Sequence, residues 1–162
     1  MLENKDMVKE CLRNVIDLKK LFKYDEYVII SLLNELGKIE DVDVVFEKAV
    51  ENDYVEVVKM LLKDGRVNPA EDDNFAIRIA SENGYTKLVE LLLKDKRVNP
   101  TEFDNYALKC AAANGHTKVV ELLLKDNRVD PSAEKNYAIR SAAKRGYIKI
   151  VKMLVEAIEK SK

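Results

Sequence analysis

The stretch Asn105–Pro131, NYALKCAAANGHTKVVELLLKDNRVDP, decides the fold of this chain. Its second half, GHTKVVELLLKD at 115–126, has near-copies at 53–64, 84–95 and 146–157. The four copies start 31 residues apart, with no insertion between them. A fixed period of this length is the sequence signature of a repeat architecture, in which one small unit is stacked several times.

Each unit is predicted to form two short helices, of which the first is rich in alanine. Alanine has the highest helix propensity. The predicted first helices cover 75–82, 106–113 and 137–144. An asparagine precedes each helix, where we expect it to act as the N-cap: Asn74, Asn105 and Asn136. A glycine follows each helix and predicts a left-handed turn: Gly84, Gly115 and Gly146.

The second helix of each unit is apolar over more than half of its circumference. The predicted second helices cover 86–94, 117–125 and 148–157. Helices this short are marginal in water, so the units must stack against one another to be stable. A proline ends each second helix, because it cannot continue one: Pro69, Pro100 and Pro131. The few polar residues that follow leave room for a tight turn or a short, hairpin-like finger.

Composition and charge exclude several classes of protein. The 162 residues are 47% hydrophobic and 35% charged, which is typical of amphipathic helices. With 28 basic and 29 acidic side chains there is no basic excess, so we expect no nucleic-acid partner. No apolar run reaches the length of a membrane span, and the first residues lack the apolar segment of a signal peptide.

The segment ALKCAAANGHTKVVELLL, at 107–124, resembles the ankyrin repeat, and the similarity extends over about residues 42–157. The chain departs from the usual pattern in two ways. The openings NFAIR, NYALK and NYAIR replace the common Thr-Pro-Leu-His, and the period is shorter than the usual value of about 33. This looks like the variant with NYAIR-type openings and RVDPS-type connectors, abundant in repeat proteins of protists and large DNA viruses.

The resemblance implies an all-α fold, an ankyrin-like α-solenoid of stacked helix-turn-helix repeats with short finger loops. We predict one domain over residues 1–162, complete as a unit and monomeric. Residues 1–40 are expected to form a degenerate N-terminal cap. The repeats are predicted at 41–71, 72–102 and 103–133, followed by a C-terminal repeat or cap at 134–162.

The residues that could support catalysis have simpler structural interpretations. His116 is the only histidine, and its place is taken by tyrosine in the other units, so a packing role is predicted. Cys110 stands where other units carry Ile79 and Ser141, which favours a small filler. Two thiols far apart in sequence indicate a reducing intracellular or cytoplasmic compartment. We therefore predict no enzyme activity, no cofactor and no metal site.

An aspartate and an arginine recur two residues apart after every second helix. The pairs are Asp64 with Arg66, Asp95 with Arg97, and Asp126 with Arg128. Because the pair is present in each copy, we expect a structural use, fastening the connector within a repeat or across neighbouring repeats. Exposed pairs of this type contribute only about 0–1 kcal/mol each.

The finger tips differ between the copies and are therefore the best candidates for recognition. They are rich in acidic residues, which either stabilise the adjoining helix N-termini by interacting with the helix dipole or steer a basic partner. Phe103 is a large apolar side chain among them and a plausible anchor. Replacing Glu102, Phe103 and Asp104 together should weaken a complex with little loss of stability.

The sequence thus predicts a protein–protein interaction scaffold or adaptor that binds a partner, such as a protein with a basic patch, through the concave face and the finger loops. The residues assigned to partner binding are Glu71, Asp72, Ile79, Glu102, Phe103, Asp104, Cys110, Lys135, Ser141 and Lys144. A designed or consensus-like repeat protein without a natural partner is one alternative. An enzyme, or a non-catalytic part of a larger enzyme or adaptor, is a more remote one.

Overall fold

The computed structural model describes residues 42–160, and the predicted N-terminal cap at 1–40 lies outside this range. Between these limits the protein forms eight α-helices and no strand. They are α1 Val42–Glu51, α2 Val55–Asp64, α3 Glu71–Asn83, α4 Thr86–Leu93, α5 Glu102–Ala113, α6 Thr117–Leu123, α7 Ala133–Lys144 and α8 Ile148–Lys160.

The chain divides into two compact units between Asn68 and Pro69. In the described part of the first unit, α1 and α2 pack against each other as one helix pair. Their shared core includes Val45, Val57 and Leu61, each at most 1% exposed. The helix-pair element that the period predicts is therefore present in this unit.

The second unit contains three helix pairs, α3–α4, α5–α6 and α7–α8. Helix α5 packs against both α3 and α7, and α6 packs against both α4 and α8. Leu92, Leu123 and Leu154 occupy equivalent positions in the second helices, and none of them is exposed to solvent. The all-helical stack of helix pairs confirms the predicted fold class, and its stability comes from burial of these apolar faces.

The turn between the two helices of a pair has the predicted left-handed conformation. Gly84 has a φ of 78° and Gly115 a φ of 80°. A side chain from the following pair lies directly over each glycine: the His116 imidazole over Gly84 and the Tyr147 ring over Gly115. Glycine is therefore needed both for its φ and for the space that a Cβ would occupy.

The fingers differ most from the prediction, because each contains one turn of left-handed helix. Three consecutive residues have a φ between 47° and 63° in each of the fingers at 72–74, 103–105 and 134–136. The last residue of each turn donates its N–H four residues back; for example, Asn105 N bonds to Thr101 O at 2.9 Å. Such a backbone costs about 1–2 kcal/mol per residue, and asparagine and aspartate tolerate it best.

Asn74, Asn105 and Asn136 have a left-handed backbone, whereas an ordinary N-cap residue has an extended one. The residues that precede α3, α5 and α7 are Ala70, Thr101 and Ser132, and none of them makes a side-chain cap hydrogen bond. Instead, the Asn74 Oδ1 accepts a hydrogen bond from Asn99 N at 2.6 Å, and the Asn105 Oδ1 accepts one from Asp130 N at 2.9 Å. These buried asparagines tie each finger to the connector that follows the second helix of the same repeat.

The Asp–Arg pairs lie within one connector. The Arg128 Nε donates to the Asp126 Oδ1 at 2.9 Å, and this guanidinium lowers the pKa of the Asp126 carboxyl. The contact between repeats is made by the Arg128 Nη1, which donates to the Val98 carbonyl oxygen at 2.8 Å. Pairing of the two charged groups across repeats, one of the expected arrangements, is therefore not what fastens these connectors.

We expect Asn105→Ala to lower the free energy of unfolding by about 1–2 kcal/mol, because it removes the acceptor for Asp130 N. Asn136→Ala is the matched control, since Asn136 has nearly the same φ, 62° against 63°, but is exposed. Urea unfolding followed by circular dichroism measures both variants. Equal losses would show that the conformational preference of asparagine matters and that the hydrogen bond does not.

Candidate functional site

The candidate site is a surface of the second unit, here called the finger surface. It consists of the three left-handed turns and the outward sides of the first helices α3, α5 and α7. Phe103 stands out within it, because 51% of this large apolar side chain is exposed. Asp72, Asp73 and Asp104 are also exposed in these turns, so the finger surface combines an apolar side chain with carboxylates.

Arg78 links two neighbouring fingers. Its Nε donates to the Asp73 carbonyl oxygen and its Nη2 to the Asp72 carbonyl oxygen, both at 3.0 Å. Its guanidinium carbon lies 5.3 Å from the centre of the Phe103 ring and 5.7 Å from that of Tyr106. A cation at this distance is attracted to the ring, so Arg78 holds Phe103 against the stack while leaving much of it in solvent.

The same position carries a cation in the next two repeats, Lys109 and Arg140. The Lys109 Nζ bonds to a Glu134 carboxylate oxygen at 3.0 Å and lies 5.7 Å from the centre of the Tyr137 ring. The Arg140 guanidinium carbon lies 5.9 Å from the same ring. The finger surface therefore has a column of cations and aromatic rings running across its repeats.

Sequence reasoning missed this column, although its signal is present. Arg78, Lys109 and Arg140 are the last letters of NFAIR, NYALK and NYAIR, 31 residues apart. The total charge of the chain does not reveal these three cations, because basic and acidic residues are nearly equal in number. They do not form a free basic stripe, because Lys109 is largely buried and paired, and Arg78 is hydrogen-bonded to the finger backbone.

The structure separates the predicted binding residues into three groups. The exposed ones are Glu71, Asp72, Phe103, Asp104, Lys135 and Lys144, and the half-buried ones are Ile79, Cys110 and Ser141. Glu102 forms the third group, because its Oε2 accepts hydrogen bonds from Asn99 Nδ2 at 3.0 Å and Asn74 Nδ2 at 3.4 Å. Replacing Glu102 would disturb these contacts, so the triple replacement is not a clean test of binding.

Cys110 and Tyr106 are hydrogen-bonded to each other on α5. Burial raises the pKa of the Cys110 thiol, and the hydrogen bond to Cys110 raises the pKa of Tyr106 to about 12. Both groups are therefore protonated at neutral pH. The thiolate is the nucleophilic form of cysteine, so this environment suits the predicted filler role and not a reactive thiol.

His116 has the packing role that its tyrosine equivalents predict. Its Nε2 lies 2.8 Å from the Glu82 carbonyl oxygen, and because a carbonyl can only accept, Nε2 carries the proton. Asn114 donates to the same carbonyl oxygen from its Nδ2 at 3.0 Å. Both side chains thus bond the C-terminal end of the preceding first helix, and the imidazole also packs over Gly84.

Comparison with known families identifies the architecture. The family model described as "ankyrin repeats (3 copies)" matches residues 77–162, more than half of the chain. The chain belongs to the ankyrin repeat family. A comparison with the curated proteins found no match. Ankyrin repeats are generally protein–protein interaction modules, which agrees with an exposed finger surface of mixed apolar and charged character.

Two further observations concern the described ankyrin repeats. None of the helices between Val42 and Lys160 is long and apolar enough to cross a membrane. Over the same residues, no group of three or more histidine, cysteine, aspartate or glutamate side chains is placed to hold a metal ion.

Proposed function

We propose that this ankyrin repeat protein is an interaction scaffold that binds a protein partner through the finger surface, with Phe103 as the anchor. The observation that carries the proposal is the exposure of Phe103 in a strained backbone. Its φ of 48° is rare for an aromatic residue, and such outliers persist where the surrounding structure holds them in place. The equivalent positions in the neighbouring fingers are the charged Asp72 and Glu134, so the fold does not require phenylalanine here.

The partner is expected to present an apolar pocket bordered by basic side chains. Asp72, Asp73 and Asp104 are exposed beside Phe103 and would increase the association rate of a positively charged partner. Arg78 orients the Phe103 ring, which lowers the conformational entropy lost on binding. The half-buried Ile79, Cys110 and Ser141 on the first helices would form the floor of the contact.

Three finer assignments accompany this proposal. The 31-residue period and the NYAIR openings support the variant found in protist and large DNA virus proteins. The free thiol of Cys110 supports a reducing intracellular compartment. We assign the remaining exposed predicted residues, Glu71, Lys135 and Lys144, to the outer part of the contact, where substitutions have small effects.

Affinity capture with Phe103→Asn tests the proposal. Asparagine tolerates the left-handed backbone and already occupies the same turn at Asn105, so the variant should keep its fold. We expect proteins from the source cell that bind immobilised wild-type chain to be depleted at least fivefold by Phe103→Asn. Quantitative mass spectrometry of the bound proteins gives the ratio.

Ile148→Asn is the matched control, because Ile148 is a large apolar side chain, 61% exposed, outside the finger surface. Ile148→Asn should capture at the wild-type level the proteins that Phe103→Asn depletes. Equal capture by wild type and Phe103→Asn, with both variants folded by circular dichroism, would contradict the assignment of Phe103 as the anchor.

A further inference from the structure

The outer side of the helix pair α7–α8 differs from the same side of the other pairs in the second unit. Ile148 is 61% exposed, Tyr137 41% and Val155 39%. Their counterparts Thr117, Tyr106 and Leu124 in the α5–α6 pair are only partly exposed, because α7 and α8 pack against that pair. We call the surface formed by Tyr137, Arg140, Gly146, Ile148 and Val155 the end face.

The internal interfaces show what covers each part of such a face. A ring covers the glycine, since a Cβ on Gly84 would lie 2.5 Å from the His116 ring and one on Gly115 2.8 Å from the Tyr147 ring. In the described residues nothing lies within 4 Å of a Cβ built on Gly146, although its φ of +76° matches the other two. The end face therefore has space over Gly146 for an aromatic or imidazole ring.

Two polar positions follow the same pattern. The carbonyl oxygen of Glu82 accepts hydrogen bonds from Asn114 and His116 of the next pair, and that of Ala113 accepts one from Arg145. The equivalent residue on the end face is Lys144. Lys109 bonds to Glu134 of the next pair, and its counterpart on the end face is Arg140.

Charge indicates the character of the occupant. The sequence from Lys135 to Lys152 contains six basic residues and no acidic residue. A partner that brings a carboxylate to Arg140 therefore also meets a favourable long-range field. The apolar part of the face, Tyr137, Ile148 and Val155, requires an apolar helix surface as well.

We propose that the end face is a docking site for an ankyrin-type helix pair carried by a partner chain. This pair presents a ring before its second helix, a hydrogen-bond donor beside that ring and an acidic finger. Helix α8 continues to Lys160, whereas α4 and α6 end at Leu93 and Leu123 and lead into connectors. Among residues 42–160 no connector follows α8 at the position where connectors follow α4 and α6, which favours an occupant from another molecule. This site goes beyond the finger surface: the two surfaces share Tyr137 and Arg140, but the end face contains neither Phe103 nor Arg78.

The test uses the chain's own α5–α6 repeat as a probe of known fit. In the stack, this repeat packs against the face that contains Arg78, the counterpart of Arg140. A peptide with the sequence of residues 95–131, with Cys110→Ser, is joined to Lys162 through a flexible glycine–serine linker of about 20 residues. Such a linker gives an effective concentration in the millimolar range. Hydrogen exchange is compared with and without the probe.

We expect amide exchange in residues 148–155 to be at least tenfold slower with the probe attached than without it. Exchange in the attached probe should be at least tenfold slower than in an unprotected peptide. The double substitution Ile148→Glu and Val155→Glu should abolish this protection while leaving exchange in α5 and α6 unchanged. Unaltered exchange in the fused chain would contradict the proposal. Sedimentation of the chain without the probe distinguishes the source: a dimer lost on the same double substitution would assign the face to a second copy and overturn the choice of a partner chain.

Discussion

Leu123→Ala is expected to lower the free energy of unfolding by about 2–5 kcal/mol, the range for removing a buried leucine side chain. Leu123 has no exposed surface, and helix α6 is packed between α4 and α8. The cavity would therefore lie between helix pairs, where neighbouring side chains can close it only in part. Urea unfolding followed by circular dichroism measures the loss.

Arg128→Ala is the comparison for the loss of unfolding free energy in Leu123→Ala. It removes an exposed ion pair with Asp126 and one hydrogen bond to the Val98 carbonyl oxygen. Because exposed pairs contribute little, we expect a loss of about 1 kcal/mol or less. A larger loss for Arg128→Ala than for Leu123→Ala would show that the connectors, and not the leucine faces, hold the stack together.

Gly115→Ala is expected to cost about 2–4 kcal/mol, because two penalties act together. An alanine in the left-handed region is less stable than glycine by roughly 1–2 kcal/mol. Its Cβ would also lie 2.8 Å from the Tyr147 ring, and displacing that ring disturbs the contact between two repeats. The measurement is the unfolding free energy from urea melts.

Gly146→Ala separates the two penalties. Its φ of +76° is close to the +80° of Gly115, and no described atom lies within 4 Å of the new Cβ. It should therefore show the conformational penalty alone, roughly 1–2 kcal/mol. When Tyr147 is already replaced by alanine, Gly115→Ala should lower the free energy of unfolding by this conformational penalty alone. If Gly115→Ala costs as much with Tyr147→Ala as without it, the Tyr147 ring is not responsible.

The helix pairs and their stacking could be predicted because they depend on patterns that recur every 31 residues. The buried Leu92 and Leu123 and the left-handed Gly84 and Gly115 all occupy the predicted positions. Each of these residues has one dominant preference, apolar burial or a positive φ. Preferences of this kind can be inferred from one sequence when the same residue type appears in copy after copy.

The left-handed fingers could not be predicted in the same way, because their stability depends on contacts distant in sequence. Asn74 and Asn105 are suited both to an N-cap and to a left-handed turn. The hydrogen bonds that hold these side chains in the turn come from Asn99 N and Asp130 N, each 25 residues further along the chain. Local preference alone predicts an N-cap, whereas the tertiary contacts stabilise the left-handed turn.

The candidate site was predictable in its exposed part only. Phe103 and its acidic neighbours differ between copies, which distinguishes them from the residues that the repeat itself requires. Glu102 precedes Phe103 in the sequence of the same tip, but its contacts with Asn74 and Asn99 give it a structural role. Arg78 could not be assigned from the sequence, because its role depends on its distance of 5.3 Å to the Phe103 ring, which only the structure gives.

The central claim is that recognition rests on Phe103 and is separate from the residues that hold the repeats together. Isothermal titration of the captured partner with wild type and with Phe103→Asn tests it most directly. We predict that the Kd rises at least tenfold, equivalent to about 1.4 kcal/mol, with no change in the urea midpoint. A Kd within twofold of the wild-type value would contradict the claim.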